Sequence, residues 1–164
     1  MSSYKLSIPV IAQRPELPTG CEITATTMML QYAGAVVDKV QLAHEMPYHP
    51  TDPNQGFVGN PFTDDGDSIY PSALTDLVTT YAGNAVNLSG QQLANLKQYL
   101  SATGHPIVIW VGEFDGFHTH ALLMTGFNNS TIYFNDCWTK KQGSLPEDAF
   151  YKIWHNKQQM ALSY

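Results

Sequence analysis

Residues 13–30 read Gln-Arg-Pro-Glu-Leu-Pro-Thr-Gly-Cys-Glu-Ile-Thr-Ala-Thr-Thr-Met-Met-Leu, a proline-rich loop followed by a run typical of a buried helix. The helix should begin at Gly20 or Cys21 and end near Ala33. Cys21 would then lie at a helix N-terminus, where unpaired backbone N–H groups and the helix dipole favour the thiolate. Because the thiolate is the nucleophilic form, Cys21 is the candidate nucleophile, and the alternative is an inert buried cysteine.

A thiol nucleophile needs a base, and histidine titrates in the right range. The chain has six histidines, of which His118 and His120 precede a predicted strand and share one of its faces. We assign the base to His120 because it is contiguous with the apolar residues 121–125, so rigid backbone holds it. His118 lies in a predicted loop and is less fixed.

Asp136 is the candidate for the residue that orients His120. Residues 120–127 and 131–135 flank the turn signal Asn128-Asn129-Ser130 and predict a β-hairpin. If that loop has an odd number of residues, His120 and Asp136 lie on one face as diagonal neighbours. Asn135 is the rival with the opposite parity, and Cys137, also of opposite parity, is expected to pack away from the site.

Further site residues follow from the chemistry of acyl transfer, which requires donors for a developing oxyanion. The backbone N–H of Cys21 is one candidate, and the side-chain amide of Gln13 is the other. Gly20 would keep the approach to the thiol free of a side chain. Tyr70 and Trp138 are candidates for lining a substrate cleft, with burial in the core as the alternative.

Helices dominate the first half of the chain and antiparallel strands the second, which predicts one α+β domain over residues 1–164. A long segment without regular structure, from Pro47 to Pro71, is expected to be functional and to form one wall of the cleft. The elements expected besides those above are strands near 5–12, 106–112 and 159–163, and helices near 38–45, 71–81, 90–100 and 147–155.

The composition argues against several classes of function. The net charge is −6, and the few basic residues are scattered, so a nucleic-acid partner is not expected. No apolar run is long enough to cross a bilayer. The N-terminus has no signal-peptide pattern, although a processed chain would look the same, so secretion or a bacterial cell-surface location stays open.

No metal or cofactor is expected. The acidic residues Asp64, Asp65 and Asp67 do not complete a calcium loop, and the pair His118 and His120 has no third zinc ligand placed beside it.

Three stretches of the chain together resemble a known family: Gln13 to Leu30, His120-Ala-Leu-Leu-Met-Thr-Gly-Phe, and Tyr133-Phe-Asn-Asp. They are similar to the bacterial papain-like cysteine peptidases related to the double-glycine leader peptidases, in particular the stand-alone peptidase C39-like branch. One departure is Cys137, where the family usually has proline between the aspartate and the tryptophan.

The resemblance implies a papain-like fold in which the nucleophile helix packs on a C-terminal antiparallel sheet. It also implies the roles of nucleophile, base, orienting carboxylate and oxyanion donor for Cys21, His120, Asp136 and Gln13. The expected function is hydrolysis of peptide bonds in a peptide or protein substrate. The alternatives are a cell-wall peptide amidase or transpeptidase with the same triad, and a papain-like module that binds a peptide without turnover. The oligomeric state is not determined by the sequence.

Overall fold

The computed structural model describes residues 3–164 and has an α+β architecture, as the order of the predicted elements indicated. The elements follow in the order β1 (Tyr4–Lys5), α1 (Cys21–Tyr32), α2 (Lys39–Glu45), α3 (Pro71–Ala82), β2 (Val86–Asn87), α4 (Leu93–Thr103), β3 (Ile107–Val111), β4 (His120–Phe127), β5 (Thr131–Asp136), β6 (Lys141–Pro146), α5 (Glu147–His155) and β7 (Ala161–Ser163).

The strands form one sheet in the order β2-β7-β3-β4-β5-β6, and β1 pairs with the end of β4. Every pairing between these strands is antiparallel. All residues of β3 and β4 are buried, because helices cover the middle of the sheet. The continuous apolar run of β3 is typical of such a central strand.

Helix α1 lies at the centre of the molecule and packs on β3 and β4. Its first ten residues are all buried, so it has no solvent-facing side along that length. Three threonines are part of this buried surface, and the hydroxyl of each donates to the carbonyl four residues earlier at 2.7 Å: Thr24 to Gly20, Thr26 to Glu22 and Thr27 to Ile23. These bonds satisfy polar groups that would otherwise be costly to bury.

The hairpin of β4 and β5 differs from the prediction in its turn. Asn128 N donates to Thr131 O, so only Asn129 and Ser130 form the loop, an even number rather than an odd one. A β-bulge at Thr125 then shifts the register, since Met124 pairs with Phe134 but Gly126 pairs with Tyr133. The bulge inserts one extra residue in β4. It places His120 and Asp136 on the same face, which the even turn alone would not do.

Several predicted boundaries are wrong for identifiable reasons. The expected strand over residues 5–12 is reduced to β1, which pairs with β4 where Gly126 lacks a side chain; a Cβ there would lie 2.6 Å from the Tyr4 carbonyl. Helix α4 begins at Leu93 and ends at Thr103, both about three residues later than predicted, and Gly104 with a φ of 71° forms a left-handed cap. The short strands β2 and β6 were not predicted, because both lie at sheet edges and lack an apolar alternation.

Candidate active site

Cys21 is the first residue of α1, as the sequence predicted, and its side chain is buried with 7% of its surface exposed. Gly20 precedes it as the N-cap. A Cβ on Gly20 would lie 2.8 Å from Leu17 Cβ, so the glycine allows the chain to turn tightly into the helix. The sulfur therefore sits at the positive end of a helix of 12 residues.

A cavity of about 60 Å³ brings together the candidate residues from distant parts of the sequence. Its lining residues come from the loop before α1, the start of α1, the long loop before α3, and the segment entering β4: Gln13, Pro18, Thr19, Cys21, Gly66, Asp67, Phe117, Thr119 and His120. Gly20, Tyr70 and Trp138, which were predicted to bind substrate, are not among them.

His120 begins β4 and is buried, and its Nε2 lies 2.9 Å from Asp136 Oδ1. The backbone N–H of Trp138 also donates to that oxygen at 3.0 Å. Burial opposes ionisation of Asp136, but hydrogen bonds from His120 and Asp115 outweigh it and lower the pKa to about 2. A charged carboxylate at this position accepts a hydrogen bond from Nε2–H, which leaves Nδ1 of the imidazole as the nitrogen that can accept a proton.

The rival residues are engaged elsewhere. His118 has 92% of its side chain exposed and forms an ion pair with Glu113. Asn135 donates to the carbonyl of Ile8 at 2.9 Å and lies within 3.8 Å of the Met28 sulfur. Neither side chain is placed to act on Cys21.

The thiol of Cys21 donates to Oε1 of Glu22 at 3.3 Å, a contact that the sequence analysis did not foresee. Glu22 is fully buried, and its other oxygen accepts the backbone N–H of Ile69 at 3.2 Å. Burial and the neighbouring Glu22 charge raise the pKa of Cys21, whereas a position at a helix start was expected to lower it. Both effects favour the neutral thiol over the thiolate.

Gln13 is held by the turn that follows β5. Its Oε1 accepts from the Cys137 thiol at 3.2 Å, and its Nε2 donates to the carbonyls of Pro18 and Leu17 at 3.0 and 3.3 Å. The reverse orientation of the amide would place its oxygen against two carbonyls, so these contacts fix the assignment. The expectation that Cys137 packs away from the site is wrong, because β5 ends at Asp136 and the alternation of side chains ends with it.

The segment that closes the cavity beside His120 was not predicted from the sequence. The ring of Phe117 stacks on the His120 imidazole with centroids 5.2 Å apart, and Trp138 packs edge-on against Phe117. The dipeptide Asp115-Gly116, a strong signal for a tight turn, would have located this segment.

Arg14 lies over the Trp138 ring at 3.7 Å. Tyr70 instead precedes α3, and its hydroxyl accepts from Lys157.

One group of side chains has the composition of a metal site. Ligand atoms of His120, Asp136 and Cys137 lie within 4.8 Å of one another. His120 and Asp136 are in direct hydrogen-bonding contact, and the Cys137 thiol donates to Gln13. We interpret the three as parts of one hydrogen-bonded network.

Comparison with known sequences identifies the family of the chain. The sequence profile of the Peptidase_C39 like family matches residues 5–162. The chain belongs to that family. It is 31% identical to the uncharacterised protein YvpB of Bacillus subtilis (strain 168) over 167 aligned positions, which cover 85% of this chain and 66% of YvpB. The chain thus spans slightly less than two thirds of that longer relative.

Solved structures share the fold. The crystal structure of a proposed C39-like peptidase from Bacillus anthracis superposes with a TM-score of 0.92 and 30% identity, covering 100% of this chain and 98% of that one. A double glycine motif protease from an AMS/PCAT transporter, crystallised with the leader peptide, superposes with a TM-score of 0.62 and 17% identity over 99% of this chain and 96% of that one. The fold is therefore the papain-like fold that the resemblance implied. Among residues 3–164, no helix is both long and apolar enough to cross a membrane.

Proposed function

We propose that this protein is a cysteine peptidase with Cys21 as nucleophile, His120 as general base and Asp136 as the residue that orients His120. The observation that carries the proposal is the shared cavity of Cys21 and His120, with Asp136 bound to the histidine nitrogen on the far side. A nucleophile, a base and an orienting group in series are what thiol-dependent acyl transfer requires.

The reaction begins with the neutral thiol. Substrate binding displaces the contact between Cys21 and Glu22, and the thiol proton passes to Nδ1 of His120. The sulfur then attacks the carbonyl carbon of the scissile peptide. When the C–N bond breaks, the proton moves from Nδ1 to the leaving amine, and a thioester remains on Cys21. Water, deprotonated by His120, hydrolyses the thioester and restores the thiol.

The oxyanion of the tetrahedral intermediate has two candidate donors, the backbone N–H of Cys21 and Nε2 of Gln13. Both N–H groups of the Gln13 amide are engaged by carbonyls in the free protein. The substrate oxygen must therefore replace one of them, most readily the 3.3 Å contact with Leu17. Removal of Gln13 is expected to reduce kcat more than it raises KM, because this bond forms in the transition state.

A specific observation favours a second candidate, a module that binds peptides without turnover. The Cys21 thiol is buried and already hydrogen-bonded, and its pKa is raised by burial. If substrate does not displace Glu22, the sulfur stays neutral and the cavity only binds.

The test is to profile the purified protein against a peptide library, with Cys21→Ala as the control. Cleavage that the control lacks supports the peptidase. Binding without cleavage, with equal affinity for both proteins, supports the binding module. Digestion of purified peptidoglycan in parallel identifies an amidase or transpeptidase acting on cell-wall peptide.

A further inference from the structure

The segment between β3 and β4 contains a second, very small hairpin. Phe114 and Phe117 exchange two backbone hydrogen bonds of 3.1 and 2.9 Å. The two residues between them, Asp115 and Gly116, have φ values of 56° and 80°. Two central residues with positive φ define the tight type I′ turn, for which Asp-Gly is a preferred sequence.

Aromatic contacts fix this hairpin against the candidate active site. Phe117 stacks on His120, with an angle of 16° between the rings. On the other side, Phe114 packs edge-on against Phe134 of β5, with centroids 6.0 Å apart. The position of Asp115 is thus set by packing on both sides of the turn.

The side chain of Asp115 is directed inward although it lies at the tip of a turn. Only 18% of the side chain is exposed, and Oδ2 is buried without a hydrogen-bond donor of normal geometry among the described residues. That oxygen lies 3.5 Å from Nε2 of His120. Since Asp136 Oδ1 lies 2.9 Å from the same nitrogen, two carboxyl groups flank one side of the imidazole.

We propose that Asp115 is a positioning residue for His120, a second carboxyl group that acts on the imidazole together with Asp136. This inference rests on the proposed role of His120 as the base. A buried carboxylate oxygen without a partner is costly, and a position beside Nε2 gives it a function. Asp136 supplies the direct hydrogen bond, and Asp115 adds charge that depends on its own protonation.

The groups that face Asp115 determine when it is charged. They are His120 on β4, Asp136 at the end of β5, Cys137 directly after that strand, and Lys141 of β6. Lys141 lines the same surface pocket as Asp115 and Asp136. Glu113 and His118 of the same segment pair with each other in solvent. Burial and the adjacent Asp136 carboxylate raise the pKa of Asp115 to about 7.

The sign of the effect follows from these charges. Below about pH 7 Asp115 is neutral and can donate a hydrogen bond to Asp136. Above that pH the pair carries a second negative charge beside the imidazole. Negative charge there favours the imidazolium, and hence transfer of the Cys21 proton to His120. The reactivity of Cys21 should therefore show an additional rise as pH increases through about 7.

The experiment measures the rate of Cys21 alkylation by iodoacetamide from pH 5 to 9, in Cys137→Ala proteins so that one thiol is followed. The variants are Asp115→Asn, Asp136→Asn and the double substitution, and Glu113→Gln is the matched control, a carboxylate of the same segment that faces solvent. Asn tolerates the positive φ of this position. If Asp115→Asn disturbs folding, Asp115→Gly is the second variant, because glycine adopts positive φ without strain.

We expect Asp115→Asn to match the parent below pH 7 and to be alkylated about tenfold more slowly above it, because one negative charge beside the imidazole is then missing. Asp136→Asn should be about tenfold faster than the double variant, because Asp115 is then the remaining carboxylate on His120. Glu113→Gln should follow the parent at every pH.

The proposal would be overturned if the rate of Cys21 alkylation depended on pH in the same way in the parent and in Asp115→Asn. Equal alkylation rates for Asp136→Asn and the double variant would also overturn it. So would a slowing in Asp115→Asn or Asp115→Gly that is the same at every pH, since that is the signature of a purely structural role. Alkylation needs no substrate. A protein that cleaves no peptide but shows the expected profiles would refute the proposed peptidase function and leave the role of Asp115 supported.

Discussion

Cys21 lies between a buried carboxyl group on its own helix and a histidine on the sheet. Glu22 accepts the thiol proton in a hydrogen bond, and the backbone N–H of Ala121, next to His120, also approaches the sulfur. The carboxyl group and the burial oppose ionisation, so the helix dipole by itself does not produce a thiolate here. In the mechanism that we propose, activation comes from the imidazole of His120.

The two thiols should differ in reactivity although burial raises the pKa of both. Cys21 lines the cavity, whereas Cys137 is completely inaccessible and donates to Gln13. We expect iodoacetamide to modify Cys21 first, as followed by peptide mapping at several pH values. Cys137→Ala should leave that modification in place and Cys21→Ala should remove it. Faster labelling of Cys137 near neutral pH would show that the nucleophile is wrongly assigned.

Asp136→Asn tests the orientation of His120. The amide retains the shape of the carboxylate but favours the wrong tautomer of the imidazole. We expect the fold to persist, as judged by the thermal midpoint, and kcat/KM to fall on the order of 10²- to 10⁴-fold. Asp136→Ala should lose stability as well, because Trp138 N–H and His120 both lose their acceptor. Unchanged turnover in Asp136→Asn would remove Asp136 from the mechanism.

Glu22 should make the protein less stable as pH rises. Burial raises the pKa of Glu22 from 4.5 to about 7, so the folded state holds the proton more tightly than the unfolded state. The stability that this provides is complete below about pH 4.5 and is lost as pH increases to 7. The difference in unfolding free energy amounts to about 3 kcal/mol at most.

Glu22→Gln should therefore flatten the dependence of stability on pH in this range, measured by urea unfolding. Glu45→Gln is the control, because hydrogen bonds with Tyr81 and Gln41 lower the pKa of Glu45 and give the opposite sign. If the two variants show the same slope, Glu22 does not hold a proton in the folded protein.

Among the elements, the long loop before α3 is attached to the core by two backbone hydrogen bonds of Ile69. The backbone N–H of Ile69 donates to Glu22, and its carbonyl accepts from the indole of Trp110 on β3 at 2.8 Å. The same loop supplies Gly66 to the cavity, where a Cβ would lie 1.9 Å from the Thr19 hydroxyl oxygen. The loop thus approaches the turn before Cys21 very closely, as one wall of the cavity.

Trp110→Phe should weaken the attachment of the long loop to the core. It removes the donor to Ile69 and leaves a buried carbonyl unpaired, at a cost of about 1–3 kcal/mol. Trp154→Phe is a matched control, since that indole is equally buried and donates to the Met160 carbonyl away from the cavity. Trp154→Phe should lose less stability, because the backbone N–H of Trp110 still donates to the Met160 carbonyl at 3.2 Å. Only Trp110→Phe should also lower kcat/KM. Equal activity in the two variants would separate the loop from the site.

For the whole molecule, negative charge exceeds positive charge, and one acidic residue lines the cavity. The net charge is −6, and the acidic tip of the long loop, defined by Asp64, Asp65 and Asp67, reaches the cavity at Asp67. All three aspartates are exposed. Exposed charges act over about 10 Å at 0.1 M salt, which includes a peptide bound in the cavity.

Neutralising the acidic tip with three Asp→Asn substitutions should reduce kcat/KM for peptides with basic side chains more than for neutral ones. The difference should shrink at high salt. Asp76→Asn with Asp148→Asn removes exposed charge elsewhere on the surface and serves as the control. Equal losses for both peptide classes would exclude the loop from charge selection. Whether the loop is also more mobile than the hairpin stays a prediction for hydrogen exchange.

Short-range sequence patterns were sufficient to predict the starts of α1 and β4 and the bounds of α5. The Pro-Thr-Gly turn placed Cys21 at a helix start, and the apolar run after His120 placed that residue at the start of a buried strand. The bounds of α5 follow equally from local signals. In each case the deciding interactions span a few residues, so local propensity and periodicity are sufficient.

Features of the site that depend on contacts between distant segments could not be predicted from the sequence. The bulge at Thr125 sets the face that His120 shares with Asp136, and the tight turn at Gly116 brings Asp115 to the same imidazole. Burial by other elements keeps Glu22 at the thiol, and the end of β5 releases Cys137 toward Gln13. Packing between distant segments determines register, burial and charge, and none of these leaves a periodic signal in the sequence.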